Sequence, residues 1–99
     1  MHRDTTDTMN TIHLRLFGLR SARMNRIEEQ GFLFSPGLTV GKVWSELQHA
    51  AEPHTPLASL QRDLVHALVN GLPIQRLAGW ETPLAIGDTL TFMVMAAGG

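Results

Sequence analysis

Only one stretch of this 99-residue chain has the periodicity of an amphipathic helix, and strand-like segments lie on both sides of it. Apolar residues recur at the i, i+3, i+4 and i+7 spacing of a helical stripe, at Val40, Val43, Trp44, Leu47 and Ala51. Thr39 is a typical N-cap residue, and Pro53 ends the helix at or just past Ala51. A single helix lying across a mixed sheet is an α+β design.

The strand-like segments are short and alternate apolar with polar residues. Residues 11–17 alternate in this way, which predicts a strand that buries Ile12, Leu14 and Leu16. Further strands are expected at 31–35, 64–69 and 89–95, with 74–77 as a weaker extended stretch. The run 64–69 is the most apolar, which favours a central place in the sheet. In the last strand Leu90, Phe92 and Val94 share one face, and Met93 and Met95 the other.

Turn-forming residues indicate how these segments are connected. Asn70-Gly71 directly after an apolar run is typical of a hairpin, and Gly87-Asp88 marks another reversal. Residues 18–30 and 52–62 lack strand periodicity and are predicted to be loops, and 82–84 a short turn. There is no internal repeat, so we expect a loose lead-in at 1–10, one domain at 11–95 and a tail at 96–99.

The composition argues against several classes of function. A hydrophobic fraction of 43% is too high for a disordered chain, and no apolar run approaches the roughly 20 residues of a membrane helix. The net charge is −1 with no basic cluster, so neither nucleic acid nor a membrane surface is expected as a partner. The chain has no cysteine for a disulfide or a thiolate nucleophile. The polar start does not resemble a secretory signal, which favours the cytoplasm.

No residue pattern assembles a catalytic centre. The five histidines form no i, i+4 pair and no zinc-enzyme pattern with carboxylates, so we expect no bound metal. None of the serines lies in a G-x-S-x-G motif, and there is no glycine-rich phosphate loop. The chain is therefore not expected to be an enzyme by itself.

The C-terminal Ala96-Ala97-Gly98-Gly99 is the feature with the clearest chemical meaning. These residues have almost no side chain, so we expect a thin, flexible tail that reaches about 13 Å beyond the last strand. Such a tail can enter a narrow channel and bring the Gly99 carboxylate to a reactive centre of another protein. The alternative is that the residues are ordinary frayed ends of a chain. Beside the tail, Met93 and Met95 would be either an adaptable contact surface or ordinary strand residues.

The segment 68–99 resembles the ThiS/MoaD family of ubiquitin-like sulfur carriers, particularly the MoaD type, the small subunit of molybdopterin synthase. The features that carry the resemblance are Val69-Asn70-Gly71, Leu77 with Gly79, Thr82-Pro83-Leu84, Gly87-Asp88, Phe92 and the terminal Gly98-Gly99. It extends more loosely over 11–99, including the predicted helix start at 38–41. The resemblance implies a ubiquitin-like β-grasp fold, with a mixed four- or five-stranded sheet and one main helix.

The resemblance also implies a function for the tail. A ubiquitin-activating type of enzyme would use ATP and Mg²⁺ to adenylate the Gly99 carboxylate. A persulfide sulfur from a sulfurtransferase would then displace AMP and leave a thiocarboxylate. The implied acceptor is the molybdopterin precursor of the molybdenum or tungsten cofactor, held by a larger synthase subunit. This chain would itself bind no cofactor. Gly98 and Gly99 would carry the chemistry, Ala96 and Ala97 would keep the tail slim, and partners would dock on Phe92, Met93 and Met95.

Three alternatives stay open at this point. The sulfur could serve thiamine thiazole synthesis or another thiocarboxylate pathway. The chain could instead be a ubiquitin-like modifier that forms isopeptide bonds through Gly99, in which case its only lysine, Lys42, limits self-conjugation to one position. It could also be a β-grasp binding module whose Gly-Gly end has no role.

Overall fold

A computed structural model describes residues 10–17, 27–51, 53 and 56–94, which form a five-stranded sheet with one main helix packed on it. The strands are β1 (Thr11–Phe17), β2 (Ile27–Leu33), β3 (Val65–Val69), β4 (Leu72–Pro73) and β5 (Thr89–Val94). Their order in the sheet is β2-β1-β5-β3-β4. The main helix is α1 (Val40–Ala50), followed by the short α2 (Pro56–Ser59). The predicted α+β architecture is confirmed.

Strand β5 lies at the centre of the sheet. It pairs in parallel with β1 and antiparallel with β3, whereas β2 and β4 pair antiparallel at the two edges. The sequence favoured a central place for 64–69, but β3 has the two-residue β4 beyond it. Strand β3 is therefore an interior strand, as the sequence indicated, and the middle position of the five belongs to β5.

The core lies between α1 and the helix-facing side of the sheet. Its buried members from these elements are Ile12, Leu14, Leu16, Val40, Val43, Trp44, Leu47, Leu57, Val65, Ala67, Val69, Leu90 and Phe92. They include the predicted face of β1 and most of the predicted helical stripe. The stripe's last member, Ala51, follows the helix and is only partly buried.

Helix α1 is held at its start by a cap and by close packing. The Thr39 hydroxyl accepts a hydrogen bond from the backbone N–H of Lys42 at 3.2 Å, which confirms the predicted N-cap. Val40 N–H donates to the Thr82 carbonyl at 3.1 Å and so ties the helix start to the segment that leads into β5. A Cβ at Gly41 would lie 3.0 Å from the backbone oxygen of Trp80, so this close approach favours glycine.

Some boundaries differ from those the sequence predicted. Strand β2 begins at Ile27, although 27–30 was predicted to be a loop. As an edge strand with exposed residues it tolerates polar side chains that hid its periodicity. The expected loop 52–62 contains α2, because Leu57 buries its side chain in the core. Residues 74–76 form a 3₁₀ turn rather than an extended stretch, and Ile74 is buried there.

Candidate functional site

A hydrogen-bond network fixes the start of β5. Asn70 and Gly71 both have positive φ, 52° and 86°, and join β3 to β4 in the predicted hairpin. Asn70 Oδ1 accepts from the Thr89 N–H at 2.9 Å, and Asn70 Nδ2 donates to Asp88 Oδ1 at 3.0 Å. Asp88 Oδ2 accepts from the Ala85 N–H at 2.8 Å. The side chains of one turn therefore hold the other turn and set where β5 begins.

The helix-facing side of β5 is anchored by aromatic packing. Phe92 is completely buried, with ring centroids 5.0 Å from Trp44 and 6.2 Å from Trp80. The Arg62 guanidinium lies 4.8 Å from the Trp80 ring centroid in a cation–π contact. A side chain buried in this way cannot contact another protein, so the prediction that Phe92 docks a partner directly is wrong. It holds β5 in place instead.

The opposite side of β5 is partly exposed. Thr89, Thr91 and Met93 lie on this outer face, each half-buried. Met93 is aligned with Phe17 of β1 and His66 of β3, one residue before the described part of β5 ends. The predicted contact residue is therefore on an accessible face, while its docking role stays a prediction.

A shallow groove of about 440 Å³ follows β5 on this outer face. Its lining residues are Arg15, Leu68, Asn70, Gly71, Thr89, Thr91 and Met93. Arg15 and Leu68 are aligned with Thr91 from the strands on either side, so three strands contribute to the groove. The sequence placed Met93 on this face, and its period of two could have added Thr91. Arg15 and Leu68 could be found only once the strand order was known.

A small charge cluster lies beside the groove. Glu29 Oε1 is 3.3 Å from His13 Nε2, and Glu29 Oε2 is 3.4 Å from Arg15 Nε. All three side chains are substantially exposed, so solvent screens the pairs and they contribute little to stability. Their effect is to give the groove a polar border on the β2 side.

Most of the predicted site residues fall outside the described chain. These are Met95, Ala96, Ala97, Gly98 and Gly99. The last described residue, Val94, pairs with Val65 in the antiparallel ladder. The structure therefore gives the position from which the tail departs, and the chemistry of the tail stays a prediction.

Two features, a metal-binding cluster and a membrane-spanning helix, are absent from the residues that the structure describes. Within those residues no three His, Asp or Glu side chains lie close enough to hold a metal ion. No helix among them is long and apolar enough to cross a bilayer.

Three solved structures are similar to this chain over nearly its whole length. The solution structure of the HVO 2177 protein of Haloferax volcanii is 25% identical, covers 91% of this chain and 89% of that one, and has a TM-score of 0.58. Urm1 from Trypanosoma brucei is 19% identical, with coverages of 91% and 96% and a TM-score of 0.62. The small archaeal modifier protein 1 (SAMP1) from Methanosarcina acetivorans is 22% identical, with coverages of 92% and 98% and a TM-score of 0.52.

Comparisons of sequence alone give no such match. No protein-family model matches the chain, and no curated protein is significantly similar to it. At these identities the solved structures bear on architecture. Together with the mixed five-stranded sheet and the single main helix across it, they show that the chain has the ubiquitin-like β-grasp fold.

Proposed function

We propose that this protein is a ubiquitin-like sulfur carrier whose Gly99 carboxylate is activated by a partner enzyme and converted to a thiocarboxylate. The observation that carries the proposal is the course of β5. It is the central strand of a β-grasp sheet, it is fixed at its start by Asn70 and Asp88, and it leads towards the Gly-Gly sequence. Because the strand that leads to the tail is held firmly, the tail starts from a fixed position. A partner needs such a fixed starting position in order to guide the tail into its active site.

The chemistry divides between the chain and its partners. A carboxylate is a poor electrophile, so one of its oxygens first attacks the α-phosphorus of ATP, with Mg²⁺ held by the partner, and pyrophosphate leaves. A persulfide sulfur then attacks the acyl carbon and AMP leaves. Cleavage of the resulting acyl disulfide by a thiol gives the thiocarboxylate. This chain supplies the carboxyl group of Gly99, and Gly98, Ala97 and Ala96 supply a backbone narrow enough to enter the partner's site.

Docking is assigned to the outer face. Met93 adds a polarisable side chain to the groove along β5, which is otherwise lined mainly by polar residues, and Glu29 pairs with Arg15 at its border. Met95 extends the same alternation by one position. A partner that contacts this face and receives the tail would be either the adenylating enzyme or a larger synthase subunit. The molybdopterin precursor is the acceptor that the resemblance to the MoaD type favours, with thiamine thiazole synthesis as the runner-up.

A second candidate is a protein modifier that forms isopeptide bonds through Gly99. One of the similar structures is called a small archaeal modifier protein, which favours this possibility. The only lysine, Lys42, is exposed on α1, and its Nζ donates to the Gly37 carbonyl at 3.2 Å. Attack of an amine on the same acyl-adenylate would release AMP and form the bond, so both candidates need the same first step.

The decisive experiment charges the untagged protein with a cognate adenylating enzyme, ATP and a persulfide donor. Alkylation followed by peptide mass spectrometry then locates any new thiol. Because the chain has no cysteine, a labelled C-terminal peptide identifies the thiocarboxylate. A variant lacking Gly98 and Gly99 is the control. Pyrophosphate exchange without a labelled thiol would favour the protein modifier. If neither signal is seen, although the same enzyme preparation charges its own natural carrier, the chain would be a binding module.

The docking surface is tested in the same assay. Met93→Asp should slow charging at subsaturating carrier because it introduces a charge beside the tail's origin. Gln75→Asp, an exposed site beyond β4, makes the same addition of charge away from the groove and should leave the rate unchanged. Equal rates for the two variants would remove the outer face from the proposal.

A further inference from the structure

The two edges of the sheet are unlike each other. Strand β4 has two residues, and one of them, Pro73, has no N–H to offer a neighbouring strand. Strand β2 has seven residues without proline or lysine, and its only charged residues are Glu28 and Glu29 in its first half. Of the residues that the structure describes, only those of β1 pair with β2. The edge of β2 that faces away from β1 is therefore long enough to accept another strand.

The register shows which backbone groups of β2 point outwards. Phe34 N–H donates to the Asn10 carbonyl at 2.8 Å, so this pair is hydrogen-bonded across the β1–β2 ladder. Bonded and non-bonded pairs alternate in an antiparallel ladder. The backbone groups that point away from β1 are consequently those of Glu29, Gly31 and Leu33. They form a row to which an extended chain can hydrogen-bond.

An apolar recess lies under this edge on the helix side. It has a volume of about 300 Å³ between β2, α1 and α2. Its lining residues are Gln30, Phe32, Glu46, Leu47, Ala50, Ala51 and Leu57. Leu47 and Leu57 are nearly fully buried, and Phe32 is half-buried. Aliphatic side chains of an added strand would find apolar contacts there.

On the outer face, the fold itself does not require a glycine at position 31. A Cβ at this position would lie 3.9 Å from the nearest atoms, those of Thr11, which is an ordinary contact. Its φ is not in the left-handed region either. Glycine weakens a strand and often marks the close approach of another backbone. Beside it Leu33 is 71% exposed, so the outer face of this edge is both open and apolar.

Charge indicates the kind of chain that would fit. Glu46 is the one charged side chain lining the recess, and no described cation lies within ion-pair distance of it. We propose that the edge of β2 that faces away from β1, together with this recess, binds an extended segment of a partner protein, with apolar residues at alternate positions and a lysine or arginine facing Glu46. A second copy fits less well, because β2 itself carries no basic residue.

Binding at β2 goes beyond the proposed carrier function and is compatible with it. An added strand would place alternate side chains in the recess and over Gly31, on the far side of β1 from β5. The groove along β5 and the origin of the tail stay accessible. One protein could thus hold the carrier while another acts on Gly99.

The test uses the full chain and a defined probe, a synthetic peptide of alternating valine and threonine with a lysine at each end. Titration into the ¹⁵N-labelled protein should produce saturable amide shifts at Glu29, Gly31 and Leu33 and at Leu47 and Ala50 of α1. Shifts centred on the β5 groove, or none at millimolar peptide, would overturn the proposal.

Variants distinguish backbone pairing at the β2 edge from nonspecific electrostatic attraction of the peptide. Gly31→Pro removes an outward N–H without touching the β1 ladder and should weaken the peptide about tenfold. Glu46→Lys should weaken it roughly threefold, as for an exposed ion pair, even if Gly31→Pro fails to fold. Glu81→Lys makes the same charge change in a residue that does not line the recess and should have no effect. Equal losses for the two lysine variants, or a dimer that Gly31→Pro abolishes, would contradict the proposed partner.

Discussion

The network at the start of β5 can be divided into its parts with two substitutions at one position. Asn70→Gly removes both side-chain hydrogen bonds, to Asp88 and from Thr89, but keeps a residue that adopts a φ of 52° freely. Asn70→Ala removes the same bonds and also forces a Cβ into the left-handed region. The difference between the variants isolates the cost of the alanine Cβ, and the glycine variant reports the hydrogen bonds less the strain that asparagine itself bears at this φ.

The expected magnitudes follow from the geometry. Each hydrogen bond contributes about 0.5–1.5 kcal/mol, and because Asn70 is exposed we expect about 1–2 kcal/mol for Asn70→Gly. A non-glycine residue in the left-handed region adds about 1–2 kcal/mol, so Asn70→Ala should cost about 2–4 kcal/mol. In a domain of this size each kcal/mol corresponds to roughly 4–8 °C in Tm.

Urea unfolding followed by tryptophan fluorescence suits this measurement, since Trp44 is fully buried in the native state. Asp88→Ala and the double variant with Asn70→Gly complete a cycle, in which the two losses should add to more than the combined loss. A glycine variant as stable as the wild type would refute the contribution of the network. Equal stability of the glycine and alanine variants would refute the backbone contribution.

Other substitutions test the core, the helix start and the surface pairs by the same unfolding measurement. Trp44→Ala should cost about 3–5 kcal/mol, and a midpoint like that of the wild type would contradict its core position. Gly41→Val should cost about 1–3 kcal/mol, because its Cβ would meet the Trp80 carbonyl at 3.0 Å; a stabilised variant would show that Trp80 yields readily. Glu29→Gln should change stability by less than about 1 kcal/mol, and a larger loss would mean that its pair with Arg15 is better shielded than its exposure indicates.

The sequence was most informative where one local pattern decides the structure. The helical stripe of α1, the Thr39 cap and the Asn70-Gly71 turn each depend on residues close together in the chain, and all three were predicted. Strand β2 was predicted only in part, because an edge strand has fewer burial requirements and Glu29 and Gln30 gave no alternation to detect.

The candidate site was harder to predict because it is built from distant segments. Arg15, Leu68 and Thr91 meet only through the parallel pairing of β1 with β5 and the antiparallel pairing of β3 with β5. Phe92 illustrates a different difficulty. The alternation of β5 assigned Phe92 to the correct face of the strand. Its proximity to the tail in the sequence suggested a docking role, which its burial between two tryptophans excludes.

The central position of β5 has a mechanical consequence. Five residue pairs join it to β1 in parallel and five join it to β3, so a pull along its exit direction loads both ladders in shear. Bonds loaded in shear must break together, whereas bonds at a peeled edge break one after another. A protein that pulls on the chain beyond Val94 would therefore have to break the two central ladders first. Force applied at the tail should leave the fold intact far longer than force applied at the edge strand β2.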